Sequence, residues 1–181
     1  MFDQKFLEEQ KLGSLSGKAE KLVIFLHGLG SNADDLISLA ALMQVDLPIC
    51  ALVSPNALEA CDMGPFGYQW FSLQDRSPET LLSELERVYN TVNSYIESKM
   101  QEFGLKEKDI ILVGFSQGTM TALNIGLKRD KPFACIIGFS GALIHNGNMD
   151  DILHKKTPIC LIHGEDDEVL HYDNMLNALQ I

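Results

Sequence analysis

The sequence lacks the features by which membrane, secreted and nucleic-acid-binding proteins are usually recognised. It has no uninterrupted apolar run near the ~18 residues that a transmembrane helix needs. Its first residues, MFDQKFLEEQKLG, are acidic where a secretory signal has a basic end and an apolar segment, so export is not indicated. Basic residues are few, and 14 Lys and Arg against 25 Asp and Glu give a net charge of −11, which repels phosphate backbones. We therefore expect no nucleic acid partner and no membrane span.

Cysteine is also scarce. The four cysteines, Cys50, Cys61, Cys135 and Cys160, include no CxxC pair, and all but Cys61 stand in apolar runs typical of buried strands. This spacing favours free thiols that pack as small core side chains over a zinc site or a disulfide. We therefore expect no bound metal and a reducing, cytoplasmic location.

Apolar runs of strand length alternate with helical patterns along most of the chain. Each run is nearly continuously apolar, which is typical of strands covered on both faces of a parallel sheet. The alternation predicts an α/β fold, a three-layer sandwich with a mostly parallel sheet. With 46% hydrophobic residues in 181, we expect one domain over residues 1–181. The predicted strands are 22–28, 49–55, 109–115, 133–139 and 158–164, the predicted helices are 31–43, 77–104 and 117–130, and 56–77 is a long irregular loop of the kind that is often functional.

One serine stands at a predicted strand-to-helix junction, in the segment GFSQG at residues 114–118. Two glycines flank it at the spacing of a nucleophile elbow, a sharp turn that strains the serine backbone and needs small residues on either side. The N-terminus of the following helix favours negative charge that develops there. We therefore predict that Ser116 is a nucleophile. The similar GFSG at 138–141 has its second glycine one residue early and no clear helix after it, so Ser140 is interpreted as a strand-end residue.

The loop LHGLGSN, after the first apolar run, is the second piece of this pattern. A glycine-containing loop after an early strand can lend one backbone N–H to an oxyanion hole, beside the N–H of the residue after the nucleophile. This predicts Leu29 and Gln117 as the two donors. His27, at the end of the strand, is interpreted as shaping the loop rather than acting as a base.

The acid is expected in CLIHGEDDEVLH, where a strand and a glycine precede a cluster of acidic residues. The cluster lies downstream of the serine, as the chain order Ser, Asp, His requires. Asp167 is the predicted acid, and Asp166 and Glu165 remain alternatives.

Taken together, HGLGSN, YQWFSL, GFSQG and HGEDDEV resemble, in order and context, the phospholipase/carboxylesterase family of small serine hydrolases. The resemblance implies the α/β-hydrolase fold and cofactor-free hydrolysis of a small-molecule ester or an acylated substrate. It implies Ser116 as nucleophile, Asp167 as triad acid, and oxyanion donors at Leu29 and Gln117. It also implies substrate binding by the aromatic loop that contains Trp70 and Phe71. The resemblance leaves open whether the protein forms a homodimer.

The histidine that such a triad needs is not evident in the sequence. Only His171 follows Asp167, and in the family the histidine comes after a further helix and strand. Those elements need about 25 residues at typical lengths, whereas 14 residues follow Asp167. We therefore expect the C-terminal part of the domain to be missing, with the last strand, the base and a covering helix beyond residue 181. His171 remains an alternative base.

Two rival interpretations remain. Gly28, Gly30 and Ala33 match the glycine pattern of a dinucleotide-binding loop, but that pattern needs an acid at the end of the next strand, and Asp46 precedes that strand instead. The second rival is a non-catalytic relative that binds acyl groups or proteins. Such a protein needs no catalytic base, so the missing histidine favours this interpretation.

Overall fold

The computed structural model describes residues 7–145 and 157–180. Within them, six strands form a central sheet, two further residue pairs form a small hairpin, and four α-helices surround the sheet. None of these described helices is both long and apolar enough to cross a bilayer. The elements are β1 (Glu9–Leu12), β2 (Lys21–Leu26), α1 (Ala33–Met43), β3 (Cys50–Pro55), β4 (Glu59–Ala60), β5 (Tyr68–Gln69), α2 (Pro78–Phe103), β6 (Ile110–Phe115), α3 (Gln117–Lys128), β7 (Cys135–Phe139), β8 (Ile159–Ile162) and α4 (Asp173–Leu179), with 3-10 turns at Gln44–Asp46 and Glu107–Asp109.

The sheet has the order β1-β3-β2-β6-β7-β8, and every neighbouring pair runs parallel except β1 with β3. All five predicted strands and all three predicted helices are confirmed. The sequence interpretation missed β1, whose residues EQKL are mostly polar and show no apolar run. The predicted mostly parallel α/β sandwich is confirmed, while the prediction of one domain over the whole chain stays a prediction.

Alternate residues of the strands enter two separate cores. In β2, Leu22 and Ile24 join the core under α2 and α3, whereas Val23 and Phe25 join the core under α1. This two-sided burial explains why the predicted strands are continuously apolar instead of alternating. The sheet is therefore the middle layer of three, and its central strands are fixed from both faces.

Polar side chains cap the starts of α1 and α2, and a glycine ends α2. Ser77 caps α2 by accepting from the N–H of Thr80, and Gly104 ends it in the left-handed region at φ 67°. Asn32 caps α1 by accepting from the Asp35 N–H, and the hydroxyl of the preceding Ser31 donates to the Asp35 carboxylate.

The 56–77 loop is irregular, as predicted, apart from the hairpin of β4 and β5. It is joined to the loop after β2 by two backbone hydrogen bonds, from Gly30 N–H to the Tyr68 carbonyl and from Tyr68 N–H to the Ser31 carbonyl, both at 2.9 Å. At Gly67, with φ 77°, a Cβ would lie 2.0 Å from the Gly30 carbonyl oxygen, so only glycine permits this approach. The two loops form one unit beside the end of β6.

Apolar side chains are exposed near the C-terminal ends of β6, β7 and β8. Phe115, Phe139 and Ile162 stand in one row across β6, β7 and β8, and they are 49%, 36% and 46% exposed. All four cysteines are free thiols, but the prediction that Cys160 is buried was wrong. Cys160 is exposed because β8 is the edge of the described sheet.

Candidate active site

Ser116 lies between the end of β6 and the start of α3, where the elbow was predicted. Its backbone has φ 51° and ψ −114°, a region that non-glycine residues rarely adopt. Its N–H donates to the Phe139 carbonyl at 2.8 Å, which fixes the turn against β7. A Cβ on Gly114 would lie 2.5 Å from Thr119 Cα, and one on Gly118 would lie 1.9 Å from the Leu26 carbonyl oxygen. Both flanking glycines are therefore required by close backbone approach.

The His27 side chain links the loop after β2 to the residues after β3. The ring is fully buried, with Nδ1 2.7 Å from the Gly28 carbonyl oxygen, while Nε2 accepts the Ala57 N–H at 3.0 Å. These contacts require the neutral tautomer with its proton on Nδ1, and burial lowers the pKa of His27. With both nitrogens engaged, His27 shapes the loop, as its position in the sequence indicated.

Leu29 lines the same cleft as Ser116, and Gln117 is the first residue of α3, directly after the serine. In the described part of the chain, neither N–H donates to a protein acceptor. An N–H at a strained turn without an internal acceptor can stabilise a developing oxyanion. Their predicted role as donors stays a prediction that this arrangement supports.

The side chain of Gln117 holds the aromatic loop. Its Oε1 accepts the Trp70 N–H at 2.9 Å and its Nε2 donates to the Phe71 carbonyl at 2.6 Å. The Trp70 indole N–H donates to the His27 carbonyl at 2.8 Å. Trp70 and Phe71 are 3% and 0% exposed, and neither lines the cleft at Ser116. Both side chains are buried in the described structure, and their predicted contact with substrate stays a prediction.

Asp167 follows β8, and its carboxylate is fixed by its own loop. Oδ1 accepts the N–H groups of Val169 and Leu170, both at 2.9 Å. The hydrogen bonds from Leu170 and Val169 lower the pKa of Asp167 below its ordinary value, so that this carboxyl is ionised at neutral pH. Glu165 and Asp166 are exposed and do not line the cleft. The geometry therefore favours Asp167 over the two alternatives.

A cleft of 510 Å³ brings Ser116 and Asp167 to one surface. Ser140 lies between them in the fold, directly after β7, as a strand-end residue with φ 45°. Ser140 lines the same cleft as Asp167, which sequence reasoning missed, and its side chain contributes to the lowered pKa of that carboxyl. The remaining wall is mostly apolar and includes Leu29, Leu73, Leu81, Met120, Ile144 and Leu170.

No histidine among the described residues lines this cleft. The side chain of His163 is 1% exposed, and its Nε2 lies 2.6 Å from the Leu170 carbonyl oxygen and 3.4 Å from Asp167 Oδ2. His171, the alternative base, is 74% exposed and directs Nδ1 to Asp173, 3.1 Å from its carboxylate. His154 lies outside the described residues. The described structure therefore pairs the nucleophile with an acid but positions no base beside it.

Several known proteins are similar to this chain in sequence and in fold. A sequence model of the phospholipase/carboxylesterase family matches residues 8–181. Acyl-protein thioesterase 1 of Saccharomyces cerevisiae is 31% identical over 166 residues, which are 84% of this chain and 72% of the yeast protein. Esterase YpfH of Escherichia coli is 26% identical over 153 residues, 84% of this chain and 64% of the bacterial protein. The crystal structure of esterase PE8 superimposes with a TM-score of 0.88 at 35% identity, covering 97% of this chain and 82% of that one.

Proposed function

Because the chain belongs to the phospholipase/carboxylesterase family and has its α/β-hydrolase fold, we propose that it hydrolyses carboxylic ester or thioester bonds through an acyl-enzyme on Ser116. One observation carries the proposal: a serine with φ 51° at the start of α3 shares a cleft with the ionised Asp167. A binding protein has no chemical reason to keep that backbone strain opposite a carboxylate.

The mechanism has two halves. Ser116 Oγ attacks the substrate carbonyl while a histidine takes its proton, and the N–H groups of Leu29 and Gln117 stabilise the oxyanion. The C–O or C–S bond to the leaving group then breaks, and the histidine returns the proton to that group. Water, activated by the same histidine, hydrolyses the acyl-enzyme and frees Ser116. Asp167 orients the histidine and stabilises its charged form.

The base in this mechanism is proposed to be a histidine carried by sequence beyond residue 181. Of the described histidines near Asp167, His163 is buried with Nε2 2.6 Å from the Leu170 carbonyl oxygen, and His171 directs Nδ1 to Asp173. In addition, β8 exposes Ile159 and Ile162 at the edge of the described sheet. A chain extended through the following codons should exceed residues 1–181 in kcat/KM by about 10⁴ or more, the usual effect of a missing triad member. Equal rates for the two chains would contradict this location of the base.

A fluorophosphonate probe tests the nucleophile, because it reacts with activated serines. Labelling of the full-length protein should vanish in Ser116→Ala and persist in Ser83→Ala, a matched change at an exposed position of α2. No labelling of the folded wild type would favour the non-catalytic binding protein instead. A cytoplasmic location is also proposed, supported by the four free thiols.

A further inference from the structure

The cleft at Ser116 contains one basic side chain among the described residues, Arg76. It lies between the aromatic loop and the first residue of α2, and its neighbours in the cleft wall include Leu73 and Leu81. The described cleft therefore combines a nucleophile, an apolar wall and one exposed basic side chain. That combination is suited to a substrate with an apolar part and a negative group.

Within the described residues, only Nε of the Arg76 guanidinium donates a hydrogen bond to the protein. Its Nε donates weakly to the Leu73 carbonyl at 3.4 Å, and no ion pair of Arg76 occurs within the described ranges. The adjacent carboxylate of Asp75 is occupied, because it accepts the Ser77 N–H at 2.8 Å and the Thr80 hydroxyl at 2.7 Å. The two terminal nitrogens of Arg76 can thus take a carboxylate in the two-bond geometry that arginine favours.

The surrounding field has opposing contributions. The N-terminus of the 26-residue helix α2 lies beside Arg76 and adds positive potential. The adjacent carboxylate of Asp75, Glu79 in the first turn of α2 and Asp167 in the cleft wall reduce it. The net charge of −11 repels anions at long range. At physiological salt that repulsion is screened beyond about 8 Å, so the nearby guanidinium decides local recognition.

We infer that Arg76 selects substrates that carry a carboxylate several bonds from the scissile carbonyl. The carboxylate belongs either to the acyl chain, as in a monoester of a dicarboxylic acid, or to the alcohol, as in an ester of a hydroxy acid. The inference rests on the proposed hydrolysis at Ser116 and assigns its substrate class. Arg76 acts as a specificity residue and takes no part in bond breaking.

A kinetic comparison separates the two sources of the carboxylate in the full-length protein. The acyl arm compares p-nitrophenyl adipate monoester with p-nitrophenyl hexanoate, and the alcohol arm compares carboxymethyl butyrate with ethyl butyrate. In one arm, Arg76→Gln should lower the ratio of kcat/KM for the charged over the neutral ester about tenfold, as loss of one charged contact predicts. Lys18→Gln removes the same charge from an exposed position outside the cleft and should leave the ratio unchanged. Ratios that move equally in both variants, or in neither, would overturn the inference.

A binding measurement keeps the inference testable without turnover. In Ser116→Ala, monomethyl adipate should bind more tightly than methyl hexanoate by calorimetry, and adding Arg76→Gln should remove the difference. Arg76→Lys should restore only part of it, because an ammonium lacks the two-bond geometry. Equal affinities in Ser116→Ala would overturn the role of Arg76, even with esters hydrolysed at Ser116. A wild type that hydrolyses no ester would instead refute the proposed function, whatever the binding result.

Discussion

Gln117 binds the backbone of Trp70 with its side chain: the Trp70 N–H donates to Gln117 Oε1 at 2.9 Å. The same amide donates from Nε2 to the Phe71 carbonyl. Gln117 is also the residue whose own N–H is a proposed oxyanion donor. One residue therefore links the elbow after β6 to the aromatic loop, so the loop and the oxyanion site are expected to be lost together.

Replacing Gln117 by leucine should destabilise the protein. The change leaves the buried Trp70 N–H and Phe71 carbonyl without partners, and each unsatisfied group costs about 1–3 kcal/mol. Urea unfolding followed by the fluorescence of Trp70, the single tryptophan, measures the loss. Gln101→Leu, at an exposed position of α2, is the control and should stay within about 0.5 kcal/mol of wild type. Similar losses in both variants would contradict the linking role.

Gly118→Ala should prevent stable folding or lower the free energy of unfolding by about 3 kcal/mol or more. The reason is backbone contact, since the added Cβ would lie 1.9 Å from the Leu26 carbonyl oxygen. Gly164→Ala is a matched control with nothing within 4 Å of the added Cβ. Thermal unfolding of the two variants measures the difference, and an unchanged Tm for Gly118→Ala would rule out the described turn.

Asp167→Asn should reduce the acid sensitivity of the protein. The folded state lowers the pKa of Asp167, so its stabilising contribution is complete above the ordinary carboxyl pKa of about 3.9 and is lost as the pH falls through the lower folded-state value. Urea unfolding between about pH 5 and pH 3 should show a smaller drop in Asp167→Asn than in wild type. Asp166→Asn, at the exposed neighbour, should follow wild type. If both variants follow wild type, Asp167 is not held as described.

Lys99→Met should detach β1 from α2. Lys99 is 8% exposed and binds Glu9 at 2.7 Å and Glu102 at 2.5 Å, so its removal leaves the partly buried Glu9 carboxylate with only Lys11, 3.9 Å away. Breaking such a pair costs about 3–5 kcal/mol when fully buried, and somewhat less here. Lys11→Met removes a lysine whose side chain is 55% exposed, and it should cost below about 1 kcal/mol in urea unfolding. Equal effects would show that β1 is held by other contacts.

The sequence predicted the elements whose signals are local. The Ser116 elbow is recognisable because its two glycines and its strand and helix lie within a few residues of each other. By contrast, β1 could not be predicted, since its polar residues gain a place in the sheet only through distant partners such as Lys99. The exposure of Cys160 likewise depends on strand order rather than on its own segment.

The site was predictable in its chemistry but only partly in its contacts. The sequence favoured Asp167 but left Asp166 and Glu165 open, and only the folded loop shows the Val169 and Leu170 N–H groups that hold the Asp167 carboxylate. Ser140 shares the cleft with Asp167 because β7 pairs with β8 in parallel, which no short segment reveals. The predicted contact of Trp70 and Phe71 with substrate stays a prediction, and no short segment reveals that the Gln117 side chain holds the backbone of both residues.

The acyl-enzyme itself provides the most direct test of the account. Full-length protein mixed with p-nitrophenyl acetate and quenched in acid should gain one acetyl group by intact mass, and peptide mapping should place it on Ser116. Ser116→Ala should gain none, while Ser83→Ala should react as wild type does. An acetyl group on any other residue, or its persistence in Ser116→Ala, would contradict Ser116 as the nucleophile.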